Sequence, residues 1–292
     1  MRRRGLLAGV LASVLLVWAA LLPNVATAVV GSSRASLIAT KSNIDPDALA
    51  WQAAVVTAGG TVSGSQLANV SALIAGEKTD GVWAVLDWQF LHAAENVQQA
   101  TIDLKTRAAA TLVNSPTFTA RSGITTDGSS SYVQLLVPGS NYTLNSASFG
   151  WFQNTSLSQV NGTQMGSFQF GGGSRAIIWA AFTDGNAYSG VNDLDADSGG
   201  ATPGTTTGLW IADRDSSTTN ALYRANGLVE TANQTSNAVV DQTFYLGGTH
   251  GTANDFSRPA PANGAMSFCG GHLSSTLRAA LGTRFSTYLA GL

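Results

Sequence analysis

Between Tyr132 and Cys269 turn-forming residues cut the chain into runs too short for most helices, and this constrains the fold more than any other feature. The clearest runs are Tyr132–Val137, Ala147–Phe152, Met165–Phe170, Ala176–Phe182, Leu209–Asp213, Ala221–Arg224, Phe244–Leu246 and Ala265–Cys269. Asp127-Gly128, Asp184-Gly185 and Asn226-Gly227 supply turns between them. Short strands at such spacing predict a mainly β chain: a two-sheet antiparallel jelly-roll sandwich rather than a βαβ fold. Alternate side chains then point inward to make an apolar interior. Ala221–Val229 is expected to form a compact hairpin.

Helical spacing appears only at the two ends of this region. Asp45-Pro46 opens a helix, with Asp45 as cap and Pro46 in the first turn. Leu49, Trp51, Ala54, Val55 and Ala58 keep the helical period until Gly59-Gly60. A second helix starts near Ser63 or Ser65, carries Leu67, Val70, Leu73 and Ile74 on one stripe, and stops at Asp80-Gly81. Residues 45–81 thus read as a helical hairpin leading into a sandwich over 82–292. A short helical stretch is expected over Glu95–Lys105. Ser274 or Ser275 caps a closing helix whose Leu277, Leu281, Phe285 and Tyr288 pack on the sandwich.

The first residues have a different character. Arg2, Arg3 and Arg4 precede an apolar run from Leu6 to Leu22, followed by Pro23 and the small-residue site Ala26-Thr27-Ala28. This is the pattern of a secretory signal over residues 1–28, with 29–44 as linker, and it predicts export to the periplasm or the exterior with no membrane span left after cleavage. An uncleaved segment anchoring the chain in the membrane is the alternative. Cleavage removes three of the 15 Lys and Arg, leaving 12 against 17 Asp and Glu, a formal charge of −5 in place of −2. That balance argues against a nucleic-acid partner. With Cys269 as the single cysteine, no disulfide framework exists, and its apolar neighbours Met266 and Phe268 predict a buried strand thiol.

Several segments resemble a known family. Gly123-Ile124-Thr125-Thr126-Asp127-Gly128 through Tyr132-Val133 is similar to the early strand-turn-strand of concanavalin A-like, laminin-G-like jelly rolls. Phe244-Tyr245-Leu246-Gly247-Gly248 is similar to a strand near the end of those domains. The helix pair, the segment Trp83 to Thr119 and the closing helix resemble uncharacterised bacterial and phage or prophage proteins with a helical lead-in. The resemblance implies a sandwich over roughly Asp45 to Leu292. It also implies a binding or structural role: a secreted or envelope-associated module for a glycan or cell-surface polymer, or a virion component among virion proteins.

The residues give little for catalysis. A glycoside hydrolase needs two carboxyl groups flanking one bond, roughly 5 to 9.5 Å apart. Here Glu77, Glu95 and Glu230 are isolated in sequence. Asp197-Ser198-Gly199-Gly200 is similar to a serine-protease nucleophile loop, yet the only histidine before it is His92, outside that family's surroundings. His92, His250 and His272 have no paired spacing for zinc. The chain is therefore expected not to be an enzyme. Asp193, Asp195 and Asp197 place three carboxylates at alternate positions, which converge on calcium if the backbone curls and otherwise lie on one solvated face. Tyr188, in the polar stretch Asp184–Asn192, is the ring expected to face outward and stack on a sugar.

Overall fold

Capping chemistry sets the helices where the sequence places them. The computed structural model describes residues 44–169, 173–194, 200–225, 227–251 and 256–292. Helix α1 (Pro46–Thr57) begins as Asp45 accepts from the Asp47 N–H, and α2 (Gly64–Asp80) begins as Ser63 accepts from the Gln66 N–H. Gly81, at φ +84°, closes α2 in the left-handed conformation. The chain makes one further turn, α3 (Val82–Val85), before β1 (Leu86–Phe90), so the change from helix to strand comes at Leu86 rather than Val82. Only Val97–Thr101 (α4) of the expected Glu95–Lys105 stretch is helical. Asp103 stops it by accepting from the Lys105 and Thr106 backbone N–H groups. Ser274 caps α5 (Ser275–Ala290), which buries Arg278, Leu281, Phe285 and Tyr288.

The remaining strands are β2 (Thr111–Val113), β3 (Thr117–Thr119), β4 (Gly123–Thr125), β5 (Tyr132–Gln134), β6 (Ala147–Gln153), β7 (Met165–Phe168), β8 (Arg175–Trp179) and β9 (Tyr188–Asp193). They continue with β10 (Gly208–Arg214), β11 (Asn220–Arg224), β12 (Gly227–Ala232), β13 (Tyr245–Leu246), β14 (Thr249–His250), β15 (Phe256–Ser257) and β16 (Asn263–Gly270). Sheet I runs β12-β11-β10-β6-β16-β4-β3, with β1 also on β16. Sheet II runs β15-β14-β7-β13-β5-β2, with β8 on β7 and β9 on β8. The pairs are antiparallel except β14 with β7. This is the expected two-sheet sandwich, and residues 45–292 form one compact unit. Among the described residues no helix is long and apolar enough to cross a membrane.

Alternation puts Phe149 and Trp151 of β6, Trp210 of β10, Trp88 and Phe90 of β1 and Cys269 of β16 into one buried core with Ile178, Phe244 and Leu246. The Trp151 and Trp210 rings stack at 6.1 Å. Cys269 is a free, fully buried thiol, as its neighbours predict.

The opposite faces of the two sheets differ. Helices α2 and α5 lie on the outer face of sheet I. Gln89 of β1 donates to Glu77 of α2 at 2.9 Å, and Phe152 of β6 packs on Phe285 of α5 at 5.1 Å. Sheet II has no helix on its outer face among the described elements.

Candidate functional site

Three clusters hold groups of potential chemistry, and the fold itself uses each one. His92 is fully buried. Its Nδ1 lies 2.8 Å from the Ala100 carbonyl and its Nε2 2.8 Å from Ser267 Oγ. The carbonyl only accepts, so Nδ1 carries the proton and Ser267 donates to Nε2. Burial holds this imidazole down at about 4. The serine–histidine pair has no route to solvent-borne substrate at 0% exposure for both residues.

The second cluster is Asp213, which accepts from the Leu273 N–H and lies 2.8 Å from His272 Nδ1 and 3.4 Å from Arg278. These contacts tie β10 to the start of α5. The Asp213 hydrogen bond raises the His272 imidazole above its ordinary value.

The third cluster fills the interior between β9 and strands β10–β12. Asp193 Oδ2 accepts from Arg214 at 3.1 Å, Asn220 at 2.7 Å and the Val191 N–H at 3.1 Å. Arg214 and Asp193 are both at 0% exposure. Burial pushes Asp193 up to about 6, against the pull of Val191 and Arg214. Beside it, both carboxyl oxygens of Glu230 are buried without a hydrogen-bond partner. Burial first, and then the Asp193 charge, push Glu230 up to about 8. Asp193 therefore faces the interior from a strand and does not lie on a solvated face. Asp195 and Asp197, with the Asp197–Gly199 part of the serine loop and Asn226 of the turn, lie outside the described residues. Among the described residues no group of three or more His, Cys, Asp or Glu is placed to hold a metal ion.

The outer face of sheet II carries two aromatic groups, in which Trp179 and Tyr245 are themselves buried while Phe182, Tyr188, Tyr132 and Phe256 are half-buried. Odd residues of β8 point outward, so Arg175, Ile177 and Trp179 share this face while Ala176 and Ile178 enter the core. Trp179 donates from its indole to Thr163 Oγ1 at 2.6 Å, stacks on Phe182 at 5.2 Å and meets Tyr188 edge-on at 6.2 Å. Arg258 lies over the Trp179 ring at 5.0 Å. Farther along the face, Tyr132 stacks on Tyr245 at 4.6 Å and on Phe256 at 4.2 Å, and Tyr245 meets His250 edge-on. Between the two aromatic groups opens a pocket of about 220 Å³ lined by Arg175, Ile177, Thr249, His250, Ser257 and Arg258, with Phe168 and Gly251 completing its wall. Gly166 leaves room here: a Cβ on it would come within 2.8 Å of Ile177 Cγ2 and 3.0 Å of Thr249 Cγ2.

Tyr188 sits on this same face but in strand β9, where the sequence suggests only a polar stretch. The inward positions of β9 are Ser189, Val191 and Asp193, so the alternation that marks other strands is hidden by polar groups with interior partners. The Tyr188 hydroxyl donates to Asp184 Oδ2 at 2.5 Å, and its half-buried ring lies against Gly200. Arg175, His250 and Arg258 were not legible as a group, because β8 is far in sequence from β14 and the segment after β15. The one signal available is the Arg-x-Ile-x-Trp alternation of β8, which commits a cation and an indole to one face.

No protein-family model matches this chain, and no curated protein matches it in sequence. Solved structures align with it. Domain 4 of AbnA, a GH43 extracellular arabinanase from Geobacillus stearothermophilus solved in complex with arabinotriose, covers 67% of this chain and 100% of its own, at 11% identity and a TM-score of 0.43. Trypanosoma rangeli sialidase covers 77% of this chain and 40% of its own, at 10% identity and 0.47. The binding domain of botulinum neurotoxin serotype D covers 70% and 52%, at 12% identity and 0.43. These are likenesses of β-sandwich architecture alone.

Proposed function

We propose that this protein is an exported, non-catalytic binding module of the laminin-G-like kind, and that it recognises a saccharide chain on the outer face of sheet II. One observation carries the reading: a pocket of about 220 Å³ opens on the sheet face that no described helix covers, with the half-buried rings of Phe182 and Tyr188 toward one side and of Tyr132 and Phe256 toward the other. An apolar wall with a few fixed polar groups is what sugar rings require, and rings on both sides of the pocket suit a polymer. The volume suits one ring unit rather than a larger ligand. The reactive-looking pairs elsewhere are buried in structural hydrogen bonds, which supports binding over catalysis.

The test is retention of the full-length exported protein on a panel of immobilised polysaccharides. Ser257→Phe, at the half-buried rim of the pocket, is expected to weaken retention at least tenfold. Ser286→Phe, in the groove beside α5 on the opposite side, is expected to leave it unchanged. Equal retention of both variants would overturn the assignment of the face. Release of reducing ends from the bound polymer would overturn the non-catalytic reading. The intact mass of exported protein checks cleavage after Ala28, and an intact leader would overturn the expected processing.

A further inference from the structure

Resting on that assignment of the face, we infer that the pocket selects an anionic sugar unit, one bearing a carboxylate or sulfate, with Arg175 as the residue that reads the charge. The chain has 15 Lys and Arg against 17 Asp and Glu, yet the described residues that line this pocket include two arginines and no Asp or Glu. Arg175 starts β8 with its side chain on the outer face, its guanidinium 6.0 Å from the Phe168 ring centroid. Its Nε is buried and has no hydrogen-bond partner; among the described carboxylates Asp193, its register partner on β9, acts on it electrostatically without a direct ion pair. A buried guanidinium N–H without an acceptor is costly. An anion in the pocket supplies that acceptor.

The second arginine approaches from the other side. Arg258 holds φ at +49°, a left-handed conformation that costs a non-glycine residue energy unless its surroundings fix it. Its carbonyl accepts from the Thr163 N–H at 3.0 Å, and its guanidinium rests over Trp179. The cation is thus fixed beside the pocket by backbone and indole together. A planar guanidinium fork at the pocket wall matches carboxylate and sulfate geometry, which a neutral sugar hydroxyl does not exploit. Thr249 and Ser257 add polar lining for the hydroxyls of the same ring, while Ile177 gives the apolar floor.

The experiment uses the full-length exported protein with polygalacturonate, its fully methyl-esterified form, dextran sulfate and dextran. The esterified polymer keeps the ring and removes the charge. Wild type is expected to bind polygalacturonate or dextran sulfate at least tenfold tighter than its neutral counterpart, and which of the two it prefers identifies the anion. Arg175→Gln is expected to erase that preference, Arg175→Lys to keep part of it, and Arg121→Gln, a charge removed from an exposed site elsewhere, to change nothing. Melting temperatures of all variants confirm folding. Equal binding of charged and neutral polymers would overturn the anion inference while leaving the binding module standing. Binding of neither, with no retention on any polysaccharide of the wider panel, would overturn both.

Discussion

Replacing Glu230 with Gln should stabilise this protein in alkaline solution and do little in acid. Glu230 lies on β12, is 4% exposed, and neither of its carboxyl oxygens has a hydrogen-bond partner. Burial and Asp193 raise it from 4.5 to about 8. Below pH 4.5 the carboxyl is protonated in both folded and unfolded chains, and the native state carries no penalty. Between 4.5 and about 8 the unfolded chain releases the proton while the folded one holds it, so stability falls as pH rises through this window and levels off above it. At about 1.4 kcal/mol per pH unit the ceiling is ~5 kcal/mol. Because β12 is an edge strand that can open toward water, we expect ~2–3 kcal/mol, or about 4–12 °C in melting temperature for a unit of this size. Asp193 and Arg214 face the same interior, and Glu77, raised to about 7 by burial, titrates with the same sign. The wild-type minus Glu230→Gln difference removes the contribution of Glu77 and leaves that of Glu230 with its coupling to Asp193. Thermal melts of both proteins at half-unit steps from pH 4 to 9 should coincide at the acid end and separate steadily above pH 5. Parallel curves across the whole range would refute the assignment of an unpartnered, proton-holding carboxyl.

Other substitutions test other parts of the structure. Asp193→Ala strands the fully buried Arg214 guanidinium and should cost about 3–5 kcal/mol in urea unfolding, with Asp193→Asn milder; a loss below about 1 kcal/mol would contradict the buried pair. Tyr288→Phe removes a hydroxyl that donates to the Ala93 carbonyl at 2.6 Å and accepts from Gln66 at 2.8 Å, so the same assay should show a loss of about 1–3 kcal/mol. Gly166→Ala forces a methyl to within 2.7 Å of the Ala176 carbonyl, and should lower stability by about 1–3 kcal/mol while weakening saccharide retention. Unchanged melting and retention would place the pocket floor elsewhere.

Local signals made most of the scaffold legible. Asp45, Ser63 and Ser274 cap three helices because short polar side chains before apolar stripes have one good use there. Strands such as β6, β10 and β16 showed themselves by aromatic and β-branched residues between turn-formers. Strand β9 did not, since its inward Asp193 and Ser189 are made acceptable only by Arg214 and Asn220, which come later in the chain. Strands β2, β3 and β4 are three residues each, too short for a period to register. The pocket was hidden for a related reason: a cation is ordinary on a strand's outer face, and only the sheet order brings Arg175 and Arg258 to one cavity. The engagement of the Tyr188 hydroxyl with Asp184 had no signal in the sequence.

The two sheets share one core yet face different surroundings, and this asymmetry orders the rest of the molecule. Outward groups of sheet I meet helices, so their polarity must be answered within the protein: Gln89 by Glu77, and Asp213 by Arg278 and the Leu273 N–H that precedes α5. Such groups are held in fixed partnerships beneath the helical layer. Outward groups of sheet II have no helical layer to answer to, and there the arginine Nε of position 175 stays without an acceptor at the wall of a cavity. On the proposed reading, a donor that folding leaves unanswered in a pocket-lining residue is one that a ligand can satisfy. On the same reading the helices act on recognition indirectly: by closing one face of the sandwich they leave the other to carry it.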